Sequence, residues 1–487
     1  VSLSTTIKSI QDVMRKDVGV DGDAQRLGQL GWMLFLKIFD DRDQERELLD
    51  AGYVSPIPRD LRWCTWAANP EGITGDALLE FVNGVLFPTL KALPPSPRAG
   101  DASDVVRGVF EDAYNYMKSG TLLRQVVNRI NGIDFNRSHD RHLFNDLYEQ
   151  ILRDLQSAGN AGEYYTPRAV TQFMVEMADP RLGEKIMDPA CGTGGFLVNA
   201  LEYVRGREVR TVEQEAQLQR SLFGVEPLPH LLCTTNLLLH GMDVPAQVRR
   251  DNTLRIPLSE RTARDRVEVI VTNPPFGGEE EHGIEDSFPA KFRTRETADL
   301  FLVLIIHLLQ KDTGRAAVVL PDGFLFGEGI KTRIKEKLLE ECNLHTIVRL
   351  PKGVFAPYTS IHTNLLFFAK GKKTEEVWFY EHPYPAGQKS YSKTRPIRSE
   401  EFDAERAWWN ARQENEHAWR VPVEEIRRRN YNLDIKNPNA AVEEYRDPEE
   451  LLAEYRQILG EVQEAREALK RELATALEPN AVTEAAA

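Results

Sequence analysis

Over residues 1–157 the apolar positions recur at helical intervals. Leu27, Leu30, Met33, Leu34 and Ile38 share one helical face, and Leu143, Leu147, Ile151 and Leu155 repeat every four residues. The pattern predicts an all-helical N-terminal domain. Residues 157–162 lack both period and bulk and mark a boundary. From 158 to 400 short apolar runs alternate with helical stretches: strands at 186–187, 222–225, 267–272, 316–320, 344–350 and 363–369, helices at 196–203, 228–239, 300–310 and 330–340. Such alternation predicts a doubly wound α/β domain with ligands beyond the C-terminal ends of its strands. The chain then reads as helical and polar over 401–487. There Leu452, Tyr455, Ile458, Leu459, Val462, Ala465 and Leu469 form a stripe that either meets a partner or folds back on this chain.

Two of the predicted strand ends carry chemistry. The first runs into Asp188-Pro189-Ala190-Cys191-Gly192-Thr193-Gly194-Gly195, whose glycines permit a tight turn and close approach of backbone to a ligand. The loop lacks the Lys-Ser/Thr ending of a triphosphate-binding loop, and Leu197 stands where a dinucleotide pattern would place its last glycine. A sulfonium cofactor without phosphate suits it better, with Asp188 placed to meet a ligand ammonium or to order the loop. Glu226 closes the next strand, where an acid would meet a ribose diol or merely cap a helix. Asp251 and Asn252, read as following a third helix, could contact the base of such a cofactor or form an ordinary turn. Thr166 and Pro167 read as the cap and first residue of a helix whose free amides could hold a carboxylate.

The second is Asn273-Pro274-Pro275-Phe276. Two prolines directly after a buried strand belong to a loop of fixed shape. The Asn273 amide oxygen and the Pro274 carbonyl can together accept both hydrogens of an exocyclic amine and aim its lone pair at a methyl donor, while Phe276 offers an apolar face to a base that has left its duplex. An amine attacks a methyl group directly, so no cysteine nucleophile is needed.

Charge narrows the partners. With 61 Lys and Arg against 75 Asp and Glu the net charge is −14, so a nucleic-acid substrate would be held by a local patch or by a partner protein rather than by a bulk positive field. Arg249, Arg250, Arg255, Arg261, Arg264 and Arg266 are one candidate patch, or else a solvated face. Four cysteines without Cys-x-x-Cys spacing, isolated histidines and no long apolar run argue against zinc, a disulfide framework or a membrane span, and the first residues carry no apolar leader; a cytoplasmic setting is expected.

Taken together, the 161–168 segment Ala-Gly-Glu-Tyr-Tyr-Thr-Pro-Arg, the glycine loop, Asn-Pro-Pro-Phe, the 320–326 segment Leu-Pro-Asp-Gly-Phe-Leu-Phe and the 430–434 segment Asn-Tyr-Asn-Leu-Asp resemble the modification subunits of type I restriction-modification systems. The resemblance implies a site-specific DNA methyltransferase that uses S-adenosylmethionine and acts on the N6 amine of a flipped adenine. It puts Asn273, Pro274, Pro275 and Phe276 at the catalytic position. It puts Glu163, Tyr165, Thr166, Asp188, Cys191, Gly192, Thr193, Gly194, Glu226 and Asn252 around the cofactor, and no metal. It also implies DNA, two modification subunits per specificity subunit, and a restriction subunit as partners, with 401–487 docking on the specificity subunit. A stand-alone or phage-defence adenine methyltransferase, and methylation of a cytosine amine, are the alternatives the same motifs allow.

Overall fold

The computed structural model describes residues 3–95, 101–111, 113–133, 135, 166–227, 230–356, 359, 361–392, 394–439 and 448–477. Leu143, Leu147, Ile151, Leu155, the boundary expected at 157–162, and the candidate residues Glu163 and Tyr165 lie outside them. The chain divides into two units, Val1–Pro438 and Asn439–Ala487.

The first unit opens with helices that include Leu3–Met14, Asp23–Leu49, Ala102–Glu111 and Gly120–Asn131. Their apolar faces meet in an aromatic-rich core in which Trp32 stands edge-on to Phe87, with ring centroids 5.0 Å apart. Leu232, Leu238 and Leu239 of the later helix His230–Leu239 enter the same core. Close approach is possible because Gly31 has no side chain where that helix crosses: a Cβ there would lie 3.1 Å from Leu231. Arg42 then donates to the carbonyls of Leu238 and Met242, so the helical part and the sheet share a packed, hydrogen-bonded seam.

Among the described residues nine strands form one sheet in the order β3-β2-β1-β4-β5-β7-β6-β8-β9. They are β1 (Ile186–Asp188), β2 (Leu222–Val225), β3 (Val248–Arg249), β4 (Val269–Thr272), β5 (Arg315–Pro321), β6 (Cys342–Leu350), β7 (Thr363–Lys370), β8 (Glu376–Glu381) and β9 (Ala418–Pro422). The first five are parallel; β7 runs antiparallel between β5 and β6, and β9 antiparallel to β8. Helices cover both faces, which is why β4 and most of β5 are buried on both sides and read as continuous apolar runs. The doubly wound α/β expectation therefore holds.

Three details differ from the sequence reading. The apolar pattern does not predict β8 and β9, and β9 carries the sheet past residue 400 into a stretch that reads as helical and polar. It is only five residues long and exposes Arg420 and Pro422, so it has almost no period to detect. Asp251 and Asn252 follow β3 rather than a helix. The helix after the 161–168 segment starts at Arg168 with Pro167 at its cap position, leaving the Thr166 side chain for another use.

The second unit holds the helix Pro448–Leu477. Its Leu452, Tyr455, Ile458, Leu459, Val462 and Leu469 are exposed. No helix among the described residues is long and apolar enough to cross a membrane.

Candidate active site

Strand order places the site. β1 has β2 on one side and β4 on the other, so successive connections leave β1 and β4 in opposite directions and open a crevice at their C-terminal ends. The glycine loop follows β1 and the Asn-Pro-Pro-Phe loop follows β4. Motifs 84 residues apart thus become neighbours, and the Thr272 hydroxyl donates to Asp188 Oδ1 at 2.6 Å.

Asp188 is 1% exposed. Its Oδ1 also accepts the Ala190 N–H, but no cation among the described residues faces it, and burial pushes the carboxyl up to about 7 despite these two donors. An acid so placed is stabilised by an arriving ammonium. Gly192 and Gly194 take left-handed backbone angles, with φ of 52° and 82°. A Cβ at Gly192 would meet only open space, whereas one at Gly194 would lie 2.8 Å from Cys233 Sγ. The loop is therefore packed from below at Gly194 and open at Gly192, as a cradle for a ligand requires.

The remaining loop residues brace it. Glu226 accepts the Gly192 N–H at 2.7 Å. Cys191 Sγ lies 3.6 Å from Cys233 Sγ beneath the loop, and that neighbour together with burial holds its thiol well above the ordinary range. The Thr193 carbonyl accepts from Asn236. Asn252 uses both ends of its amide: Oδ1 accepts from Leu254 N–H, and Nδ2 donates to Glu280 at 3.1 Å. Asp251 accepts the Asn252 N–H through Oδ1.

At the end of β4, Asn273 Nδ2 donates to Thr166 Oγ1 at 2.9 Å. The other end of the amide, Oδ1, is buried without a partner among the described residues. A buried acceptor left bare costs about 1–3 kcal/mol, a cost that a donor arriving from outside the chain would remove. Among the described residues no backbone N–H bonds the Pro274 carbonyl either. Phe276 is buried, its ring edge-on to Phe355 with centroids 6.2 Å apart. Phe355 was missed in the sequence, although its place in the turn after β6 offered the same signal as Phe276: an aromatic residue just past an apolar strand. Thr166 belongs to both halves of the site, standing at the helix start expected near a cofactor while touching the Asn273 amide. Among the described residues no group of three or more His, Cys, Asp or Glu side chains is placed to hold a metal.

Comparison with known proteins accords with this arrangement. Residues 139–447 match the N-6 DNA Methylase family, and residues 3–130 match the HsdM N-terminal domain. The chain is 62% identical over 489 residues to the type I restriction enzyme EcoEI methylase subunit of Escherichia coli, covering 99% of each chain. A crystal structure of a modification subunit from Vibrio vulnificus YJ016, assigned to a type I restriction enzyme, superposes with a TM-score of 0.81 at 48% identity, covering 90% of this chain and 97% of that one. A chain from a study of complex assembly and conformational transition in a type I R-M system gives 0.80 at 37% identity, covering 97% and 98%. Full-length similarity, both family matches and a bare amide acceptor beside a glycine cradle lead to one conclusion: the chain belongs to the N-6 DNA methylases as a modification (HsdM) subunit of the type I restriction-modification family, an adenine-specific DNA methyltransferase.

Proposed function

We propose that Asn273, Pro274, Pro275 and Phe276 act on an adenine flipped out of duplex DNA. Asn273 Oδ1 and the Pro274 carbonyl accept the two hydrogens of its N6 amine, and Pro275 fixes the loop that holds them. The observation that carries this reading is the Asn273 amide, engaged at its nitrogen by Thr166 and bare at its oxygen. Holding both hydrogens fixes the direction of the nitrogen lone pair, which converts an encounter into an oriented attack. The flipped base would insert beside Phe276 and Phe355 on the face of the sheet they share.

S-adenosylmethionine, bound at the glycine loop, supplies a methyl group on a positively charged sulfur. Asp188 fits its ammonium, Gly192 and Gly194 its close backbone contact, and Glu226 its ribose; Cys191 and Thr193 contribute main chain, and Glu163, Tyr165 and Thr166 complete the pocket by family resemblance. The amide of Asn252 is already used at both ends, so Asp251 is the better candidate for the cofactor's adenine.

Partners follow from the relatives. Two such chains would embrace one specificity subunit, which reads the sequence, and a restriction subunit would cut. The chain is proposed to divide its labour between a helical domain up to about 157, a catalytic domain that runs past 400 to take in β9, and a docking region beyond Pro438. Within 401–487 the docking element would be Pro448–Leu477, where Leu452, Tyr455, Leu459, Val462 and Leu469 are exposed at the three-and-four spacing of a coiled-coil seam. A cytoplasmic setting fits the four free cysteines.

Fluorescence of 2-aminopurine at the target position tests the flipping step. A rise on adding the chain with its specificity subunit is expected, and unchanged fluorescence in a complex that binds DNA would contradict it.

A further inference from the structure

The chain is acidic overall, yet residues 382–398 contain Lys389, Lys393, Arg395 and Arg398 and no Asp or Glu. The segment leaves β8, which is parallel to β6, at the edge of the sheet that carries Asn273 and Phe355. It then returns towards the helix Arg168–Ala178, where Ser399 Oγ donates to Gln172 and Arg406 pairs with Glu176.

On the way it is pinned to the turn that presents Phe355. The Tyr384 hydroxyl donates to the Lys352 carbonyl at 2.9 Å. Gly353 has φ of 82°, and a Cβ there would lie 2.8 Å from the Tyr391 carbonyl, so the two backbones touch. Tyr391 and Ile397 are buried in the same core as Phe276 and Phe355, and the Tyr391 hydroxyl donates to Glu401. The inward side chains are thus consumed in packing. Those of Lys389, Arg395 and Arg398 are exposed, as is Lys352 on the turn beneath, and none of the four forms a salt bridge among the described residues. The neighbouring cations differ: Arg406 is paired with Glu176 and Asp403, and Arg412 lies over Trp409.

An anchored loop that exposes several cations without salt-bridge partners, beside the pocket for a flipped base, in a chain of net charge −14, matches one partner chemistry. We infer that Lys352 together with Lys389, Arg395 and Arg398 of this strap forms a phosphate-binding surface that holds the DNA backbone flanking the flipped nucleotide. The inference rests on the DNA methyltransferase reading and adds to it the surface that positions the duplex. Such contacts carry no sequence information. They bring affinity through counterion release, at about one unit of salt slope per neutralised phosphate.

The test is direct DNA binding by the chain with its specificity subunit, measured by anisotropy over a range of salt concentrations. It compares a Lys352→Gln/Lys389→Gln/Arg395→Gln triple with a control triple of equal charge change at Lys16, Lys91 and Arg220. The strap triple should weaken specific and non-specific DNA by similar factors and flatten the slope of log Kd against log salt by about one for each phosphate no longer neutralised. Its affinity for S-adenosylmethionine should be that of the wild type, showing an intact fold. The control should keep the wild-type slope. An unchanged slope in the strap triple would overturn the assignment, as would an equal flattening in both triples, which would reduce the effect to net charge. Because binding is read without methyl transfer, failure of the strap is distinguishable from failure of the catalytic reading.

Discussion

Asn273 and Thr166 are 107 residues apart in the chain and joined by one hydrogen bond, from the Asn273 amide nitrogen to the Thr166 hydroxyl at 2.9 Å. That bond decides which end of the amide faces the substrate. Thr166→Val should therefore lower kcat about 10-fold, the worth of roughly one hydrogen bond in the transition state, while leaving DNA affinity unchanged. Thr166→Ser should restore the rate. Steady-state kinetics on both variants separates positioning from cofactor binding, which would raise KM for S-adenosylmethionine instead.

Burial without a cation makes Asp188 a source of pH dependence. Its folded pKa, about 7, lies above the ordinary 3.8, so its contribution to stability is fully present below about pH 4 and is lost as pH rises through 7. The displacement corresponds to about 4 kcal/mol at most. Asp188→Asn should consequently raise the Tm of the cofactor-free protein at pH 8 and have little effect at pH 4–5. Cofactor affinity moves the other way in the wild type, strengthening from pH 6 to 8 as the proton leaves, and should collapse in the variant. Thermal scans and calorimetric titration at three pH values check both signs.

The two left-handed glycines of the loop should separate fold from ligand. Gly192→Ala meets no protein atom, so it should cost only about 1–2 kcal/mol of backbone strain and yet raise KM for the cofactor by occupying the cradle. Gly194→Ala adds a clash with Cys233 to the same strain and should be the less stable of the two in urea unfolding.

Leu459→Glu and Val462→Glu place charge on the exposed seam of Pro448–Leu477. Cofactor binding by the rest of the chain should be unaffected, while co-purification with the specificity subunit is lost. Retained co-purification would remove this helix from the docking region.

What the sequence made legible was whatever is local to a strand end. Asp188 with its glycines and Asn273 with its prolines announce themselves because turn geometry and chemistry coincide within a few residues. The Thr166 contact does not, since it depends on a helix start being carried to a distant loop. Asn252 is a similar case at one end of its amide: the bond from the Leu254 N–H is the local turn the sequence allows, whereas the bond to Glu280 is a tertiary fact. β9 escaped for a different reason, because a five-residue edge strand draws its stability from pairing with β8 rather than from its own pattern.

Methyl transfer from labelled S-adenosylmethionine to DNA, with nucleoside analysis of the product, tests the catalytic role of the Asn273 amide most directly. It would be run with wild type and Asn273→Ala, each with and without the specificity subunit. We expect N6-methyladenine from the wild-type complex, little or none without the specificity subunit, and a rate at least about 100-fold lower for Asn273→Ala, in line with losing a transition-state hydrogen-bond partner. An Asn273→Ala complex that works at the wild-type rate would contradict that role, and a methylated cytosine would contradict adenine as the base it holds.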